Sequence, residues 1–275
     1  MSYVEASEVL LVAGITSTEV PESQVDLMIS MAEDEVDRLT NTTYWVVEES
    51  ATADSATDDT LTDSDAFSTN SYDGFTVWIY SGTGSGQARL IESNDKDTLT
   101  VDRDWETNPD DTSKYRIIYS STIPYVEQEL RDGDDTDEIF LNQYPLQILE
   151  SVSIDSVDVT PSTMFLYKKQ GRVLLSADSE QQYWKSKKAQ LNDLAYWYGV
   201  YPLPGLVKSY TLTIAALRVL QVQMGGTHNV PSTYSLPEGS VSIGQAYVNI
   251  RGTWDVLQKN KAVMEERLIK YFSIA

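Results

Sequence analysis

The stretch PESQVDLMISMAEDEVDRLTN, residues 21–41, reads as one amphipathic helix. Val25, Met28, Ile29, Ala32, Val36 and Leu39 stand at i, i+3, i+4, i+7, i+11 and i+14, which sets apolar side chains along a single stripe of a 3.6-residue helix. That stripe must face a core. Pro21 suits a first turn, Glu22 and Asp26 lie where the helix dipole favours negative charge, Arg38 lies near the other end, and Asn41 suits the left-handed position beyond it.

Upstream, residues 6–13 have the pattern of a short helix that Gly14 closes, with Ile15 as the apolar contact of a C-cap. A tight turn through Ser17 and Thr18 joins the two, so an antiparallel helical hairpin is expected. Downstream of Tyr44 the period changes to alternation. Residues 48–70 are polar and acid-rich, a loop or a weakly paired edge, whereas 75–80, 87–91, 98–101 and 114–119 each read as a strand bounded by turn clusters. A small antiparallel sheet or barrel, inserted into a helical frame, is the expectation. The glycine-rich 81–86 leads into a strand, lacks a following Lys-Ser/Thr pair and sits among acids, so it is not read as a phosphate loop.

From residue 139 strands return at 140–145, 148–154, 157–159, 164–168, 172–175 and 189–198, which together predict a second antiparallel sheet. Residues 209–224, apolar over much of their girth, predict a central helix ended by Gly225-Gly226. Residues 228–250 read as a long loop or an irregular hairpin. Thr253 then caps a final helix in which Trp254, Leu257, Met264, Leu268 and Tyr271 share a face, and 272–275 leave an apolar end. The fold class is therefore α+β, with about four helices, an antiparallel β segment and an inserted small β-domain. The expected division is 1–44, 45–121 and 122–275.

Charge and composition exclude several functions. The 275 residues carry a formal charge of −22 and no cysteine, which removes disulfides and thiolate metal sites. Residues 1–140 hold 7 Lys and Arg against 32 Asp and Glu, and 141–275 hold 13 against 10. Such a surface repels phosphate, because nucleic-acid binding needs a cationic footprint. It fits adaptation to high salt, or a surface past which DNA slides without sticking. No apolar run approaches a membrane span, and no basic residue precedes Arg38, so a soluble protein without a secretory signal, assembled in a cytoplasm, is expected.

Catalysis is the weakest class. The one histidine, His228, sits in a Gly-Gly-Thr-His-Asn turn with no nucleophile set beside it, and among 42 acids no motif singles out a catalytic pair. No catalytic residue, cofactor or metal site is assigned. Asp132 and Asp134 imitate the opening of a calcium loop, but the glycine expected at position six and the late glutamate are missing, so 131–138 reads as a solvated loop. Lys185, Lys187 and Lys188 cluster in an otherwise acidic chain, either as a hairpin tip in water or as a patch facing an acidic partner.

The segment SGTGSGQARLI at 81–91, followed by Trp105 and NPDDTSKY at 108–115, resembles a small β-module of structural proteins of tailed viruses. Three further places resemble the head–tail connector (adaptor) family of long-tailed viruses. They are the hairpin 5–41 ending in Asp37-Arg38-Leu39-Thr40-Asn41, the segment LNQYPLQI at 141–148 running into Val152-Ser153-Ile154-Asp155, and LAYWYGVYPLPGLVK at 194–208. The β-insert and the long final loop depart from the family pattern. The resemblance implies a ring, commonly a dodecamer, that joins the portal to the tail or a head-completion protein in the virion neck, with DNA passing through its lumen unbound. It also implies docking on the portal by the C-terminal helix, here Val263, Met264, Leu268, Ile269, Tyr271, Phe272 and Ile274. The acidic surface further suggests a virus of a salt-loving archaeon. The rival reading is a binding module of a viral particle whose β-insert grips carbohydrate or a capsid surface through Trp78, Tyr80 and Trp105, although aromatics on strands are by default core.

Overall fold

Helices come from both ends of the chain and strands from its middle. The computed structural model describes residues 2–176, 181, 183–184, 192–224, 233–236, 239–242 and 245–273; beyond residue 224 its side chains are described for 250–270. Met1–Asn41 with Leu203–Ala275 form one compact unit, and Thr42–Pro202 form the other.

In the first unit, α1 (Ala6–Ala13) ends at Gly14 in the left-handed conformation, and Ile15 N donates to Leu10 O at 3.1 Å, the C-cap expected from the sequence. Helix α2 (Glu22–Thr40) follows Pro21 and ends at Asn41, also left-handed. Its buried face carries Val25, Ile29, Ala32 and Val36, but also Glu33 and Asp37. These acids are satisfied locally: Tyr3 N donates to Glu33 and the Tyr3 hydroxyl donates to Asp37 at 3.1 Å. Helix α3 (Gly205–Gln223) starts directly after Pro204, earlier than its apolar run suggests, and packs against α1, α2 and α4 (Gln245–Ser273). The apolar girth read from the sequence is this central position. The start expected at Thr253 is not found, because α4 begins at Gln245 and Gly252-Thr253 lie inside it. An interior glycine costs a helix only about 1 kcal/mol, which packing of α4 against α3 outweighs.

The second unit opens with β1 (Val46–Thr52), β2 (Ser55–Ala56), β3 (Thr60–Thr62), β4 (Thr76–Ser81), β5 (Ala88–Asn94), β6 (Thr98–Val101) and β7 (Lys114–Tyr119). They form one antiparallel sheet in the order β1-β7-β4-β5-β6-β3-β2. Of the two alternatives for 48–70 the paired edge is found, since β1 and β2 are the sheet's two outer strands. Phe67 and Tyr72 turn inward onto a core of Leu61, Val77, Ile79, Leu99, Tyr115 and Ile117.

The rest of this unit comprises β8 (Tyr125–Arg131), β9 (Glu138–Phe140), β10 (Leu146–Ile154), β11 (Val157–Asp158), β12 (Met164–Tyr167), β13 (Arg172–Leu175) and β14 (Asn192–Tyr198). Where one sheet is expected there are two, β11-β10-β14-β8 and β12-β13-β9. The chain between β8 and β9 is held by Trp184, whose N donates to Thr136 O at 2.8 Å and whose carbonyl accepts from Asp135 N at 3.0 Å. Strand β9 therefore pairs with β13 while β8 pairs with β14. Within 228–250, β15 (Thr233–Leu236) and β16 (Gly239–Ser242) pair as a hairpin. Among the described residues no helix is long and apolar enough to cross a membrane.

Candidate functional site

A densely paired polar cluster lies between the seven-stranded and four-stranded sheets. Glu150 on β10 accepts from Arg89 on β5 at 2.9 Å and from Arg103 at 3.0 Å through Oε1, and from the Trp197 indole on β14 at 3.0 Å through Oε2. Arg89 is 3 % exposed and also donates from Nε and Nη2 to Asp104 O. Arg103 donates to the Tyr125 hydroxyl at 2.6 Å and lies over that ring, which itself stacks on Trp197. Three donors from three different parts of the chain converge on this one carboxylate. The cluster fastens the two sheets together.

A cleft of roughly 290 Å³ opens in the same unit, lined among others by Trp78, Tyr80, Ser85, Gln147, Ser162 and Lys168. The Arg116 guanidinium lies 4.3 Å from the Tyr80 ring, 5.3 Å from Tyr201 and 5.7 Å from Trp78, so cation–π contacts fix these rings. Lys168 donates to Gln147 O at 2.6 Å, and burial lowers its pKa. Of the three aromatics considered for a binding module, Trp78 and Tyr80 therefore meet at one cleft. Trp105 does not: it is 5 % exposed in the sheet core, and its indole N–H is spent on Thr60 O at 3.1 Å.

The Gly-Ser-Gly turn and the Pro-Asp-x-Thr-Ser stretch serve one another. Gly82 has φ +85°, and a Cβ there would stand 2.1 Å from Thr112 O, so only glycine fits. Gln87 donates to Gly84 O and Thr107 O and accepts from Glu106 N. Asp110 accepts from the hydroxyls of Thr112 at 2.6 Å and Thr83 at 2.7 Å, which lowers its pKa to about 2. The turn leads into strand β5 and is filled by its own side chains.

In the helical unit, Glu35 on α2 accepts from Arg218 on α3 and Lys261 on α4, each at 2.7 Å. Burial pushes the Glu35 carboxyl up, but the two cations outweigh it and hold the pKa below its ordinary value. Lys261, which interrupts the apolar stripe of the final helix, thus ties three helices together. Of the residues expected to dock on a portal, Leu268 is 1 % exposed and Met264 takes a long hydrogen bond from Thr213, so both belong to the packing of α4. Val263 and Ile269 are exposed on the outer surface. Tyr271 and Phe272 lie on α4 with side chains outside the described set, and Ile274, Lys185, Lys187 and Lys188 lie outside the described residues.

Within 131–138, Trp184 is fully buried, its indole donates to Asp137 O, and Gly133 packs against its backbone. The run is anchored by its backbone while Asp132, Asp134, Asp135 and Asp137 remain exposed. Among the described residues no group of three His, Asp or Glu side chains converges as a metal site would require. Comparison of the chain with protein-family models and with curated proteins finds no match.

Proposed function

We propose that this chain is a structural protein of a tailed-virus neck, copies of which close into a ring that joins portal to tail and lets DNA pass. One observation carries the reading. The segments that resemble the connector family lie far apart in sequence but are joined in pairs by the fold: 146–154 and 192–198 are the paired strands β10 and β14, and the opening hairpin α1–α2 packs on α3, which begins at Gly205. The strong excess of acid supports passage of DNA rather than its capture. Polar clusters committed to holding elements together, such as that around Glu150, support a scaffold rather than an enzyme.

The test is co-assembly. The purified chain, mixed in molar salt with the portal protein of the same virus, should give a stoichiometric ring by native mass spectrometry and electron microscopy; a persistent monomer beside an intact portal would overturn the proposal. The binding-module reading keeps one point of support, the cleft beside Trp78 and Tyr80. Saturable glycan binding by the whole chain, lost on Tyr80→Ala, would favour it.

A further inference from the structure

The outer face of the small β12-β13-β9 sheet carries an apolar surface whose composition is readable from register. Phe165 pairs with Leu174 and Tyr167 with Arg172 across β12–β13, and Arg172 pairs with Phe140 across β13–β9. Because side chains alternate along a strand, Phe165, Tyr167, Leu174, Arg172 and Phe140 all project to one side. The opposite side holds Met164, Val173, Leu175 and Ile139, all buried in the core. Phe165 is 59 % exposed, Phe140 49 % and Tyr167 44 %. Single exposed aromatics need no explanation, but three aromatic rings on one small sheet face, around an arginine, have the make-up of an interface centre.

The arginine is held on this face by its neighbours. Its guanidinium lies 4.1 Å from the Tyr167 ring, which fixes its plane, and its nearest carboxylate, Glu138, stands at 3.3 Å. About a third of the Arg172 side chain remains exposed, at 32 %. Exposed Lys169 adds a second cation at the margin. Register places Glu138 on the same face, opposite Leu174, so in a chain of net charge −22 this apolar surface carries two cations against one acid.

We propose that this face is a contact between copies of the chain, occupied by the acidic outer edge of a second copy's seven-stranded sheet. Charge complementarity selects that occupant. Residues 45–121 hold 16 Asp and Glu against five Lys and Arg, and Asp58 and Asp59 stand exposed in the turn between the edge strand β2 and β3. A carboxylate from that turn complements the exposed Lys169 ammonium and the exposed part of the Arg172 side chain. Both surfaces belong to the one Thr42–Pro202 unit but use different residues, so the contact is heterologous and propagates head to tail, closing when the rotation closes. The inference rests on the ring reading and names the surfaces that would build it.

The absence of native cysteine makes the test clean. Phe165→Cys and Asp59→Cys chains are prepared separately, mixed in molar salt with the portal protein, and oxidised. A covalent dimer in the mixture, at least tenfold more abundant than in either variant alone, is expected. Phe165→Asp should abolish the ring while leaving circular dichroism and melting temperature unchanged, because Phe165 is largely exposed. A Phe165→Cys homodimer as the dominant product, or a Phe165→Asp ring of wild-type mass, overturns the inference and leaves the ring reading standing. A wild-type chain that never assembles overturns both.

Discussion

Glu150 illustrates how much can depend on one side chain. It is the shared acceptor for two arginines and an indole, and Arg89 is otherwise sealed from water. Glu150→Leu would leave that guanidinium buried beside hydrocarbon, and removing one partner of a buried pair costs about 3–5 kcal/mol. Urea unfolding at fixed molar salt should show a loss of that order, with Glu150→Gln, which can still accept, losing less; equal and small losses would mean the cluster is ornamental. Nothing local in the sequence marks Glu150, because its partners lie 61 and 47 positions away. Asp110 is different, since its partners Thr112 and Ser113 are adjacent and Thr83 belongs to the facing turn. Its folded pKa of about 2 lies below the ordinary 3.8, so its contribution to stability is complete above the ordinary value and is lost as pH falls through 2. Carboxyl NMR should place its midpoint near 2, and Asp110→Asn should remove the associated acid-side loss of the 81–86 turn; a midpoint near 3.8 would contradict the hydrogen bonding.

Elements differ in how much of them is written locally. Helices α1 and α2 are legible because their stripe, Pro21, Gly14 and Asn41 are all within a few residues of the ends they define. Strands β6 and β7 are found at their expected limits because turn residues bound them on both sides. Strand β8 is not legible: Glu127 and Gln128 stand side by side in its middle, and pairing with the buried β14 decides its state. The division into two sheets is likewise a matter of long-range pairing. On α4 the apolar residues of one sequence pattern separate into two roles once packing is known. Leu268→Ala should destabilise the helical unit by about 2–5 kcal/mol, the usual cost of emptying a core leucine site. Ile269→Ala, on the exposed surface, should change stability by less than about 0.5 kcal/mol while weakening any portal docking measured by surface plasmon resonance. If Ile269→Ala binds portal as tightly as wild type, the outer face of α4 is not the docking surface.

At the scale of the whole molecule, charge sets the conditions under which everything else holds. A formal −22 on 275 residues, with 32 of the acids in the first 140, crowds carboxylates closely enough to repel through solvent. Cations cannot match the acids one to one, because the chain carries 20 Lys and Arg against 42 Asp and Glu. Repulsion that folding concentrates is relieved by screening, whose length falls from about 10 Å at 0.1 M salt to about 3 Å at 1 M. The paired groups respond less: Arg89–Glu150 is buried, and burial shields a pair from added ions. Salt should therefore relieve the surface without dissolving the internal ties, and the melting temperature should rise steadily from dilute buffer to molar potassium chloride. Reversal of exposed acids, for example Asp58→Lys with Asp59→Lys, should flatten that rise, whereas Glu150→Gln should lower the whole curve with little change of slope. A melting temperature indifferent to salt over this range would show that the acid surface is not an adaptation to brine, and its excess charge would then have to be explained by the partners it meets.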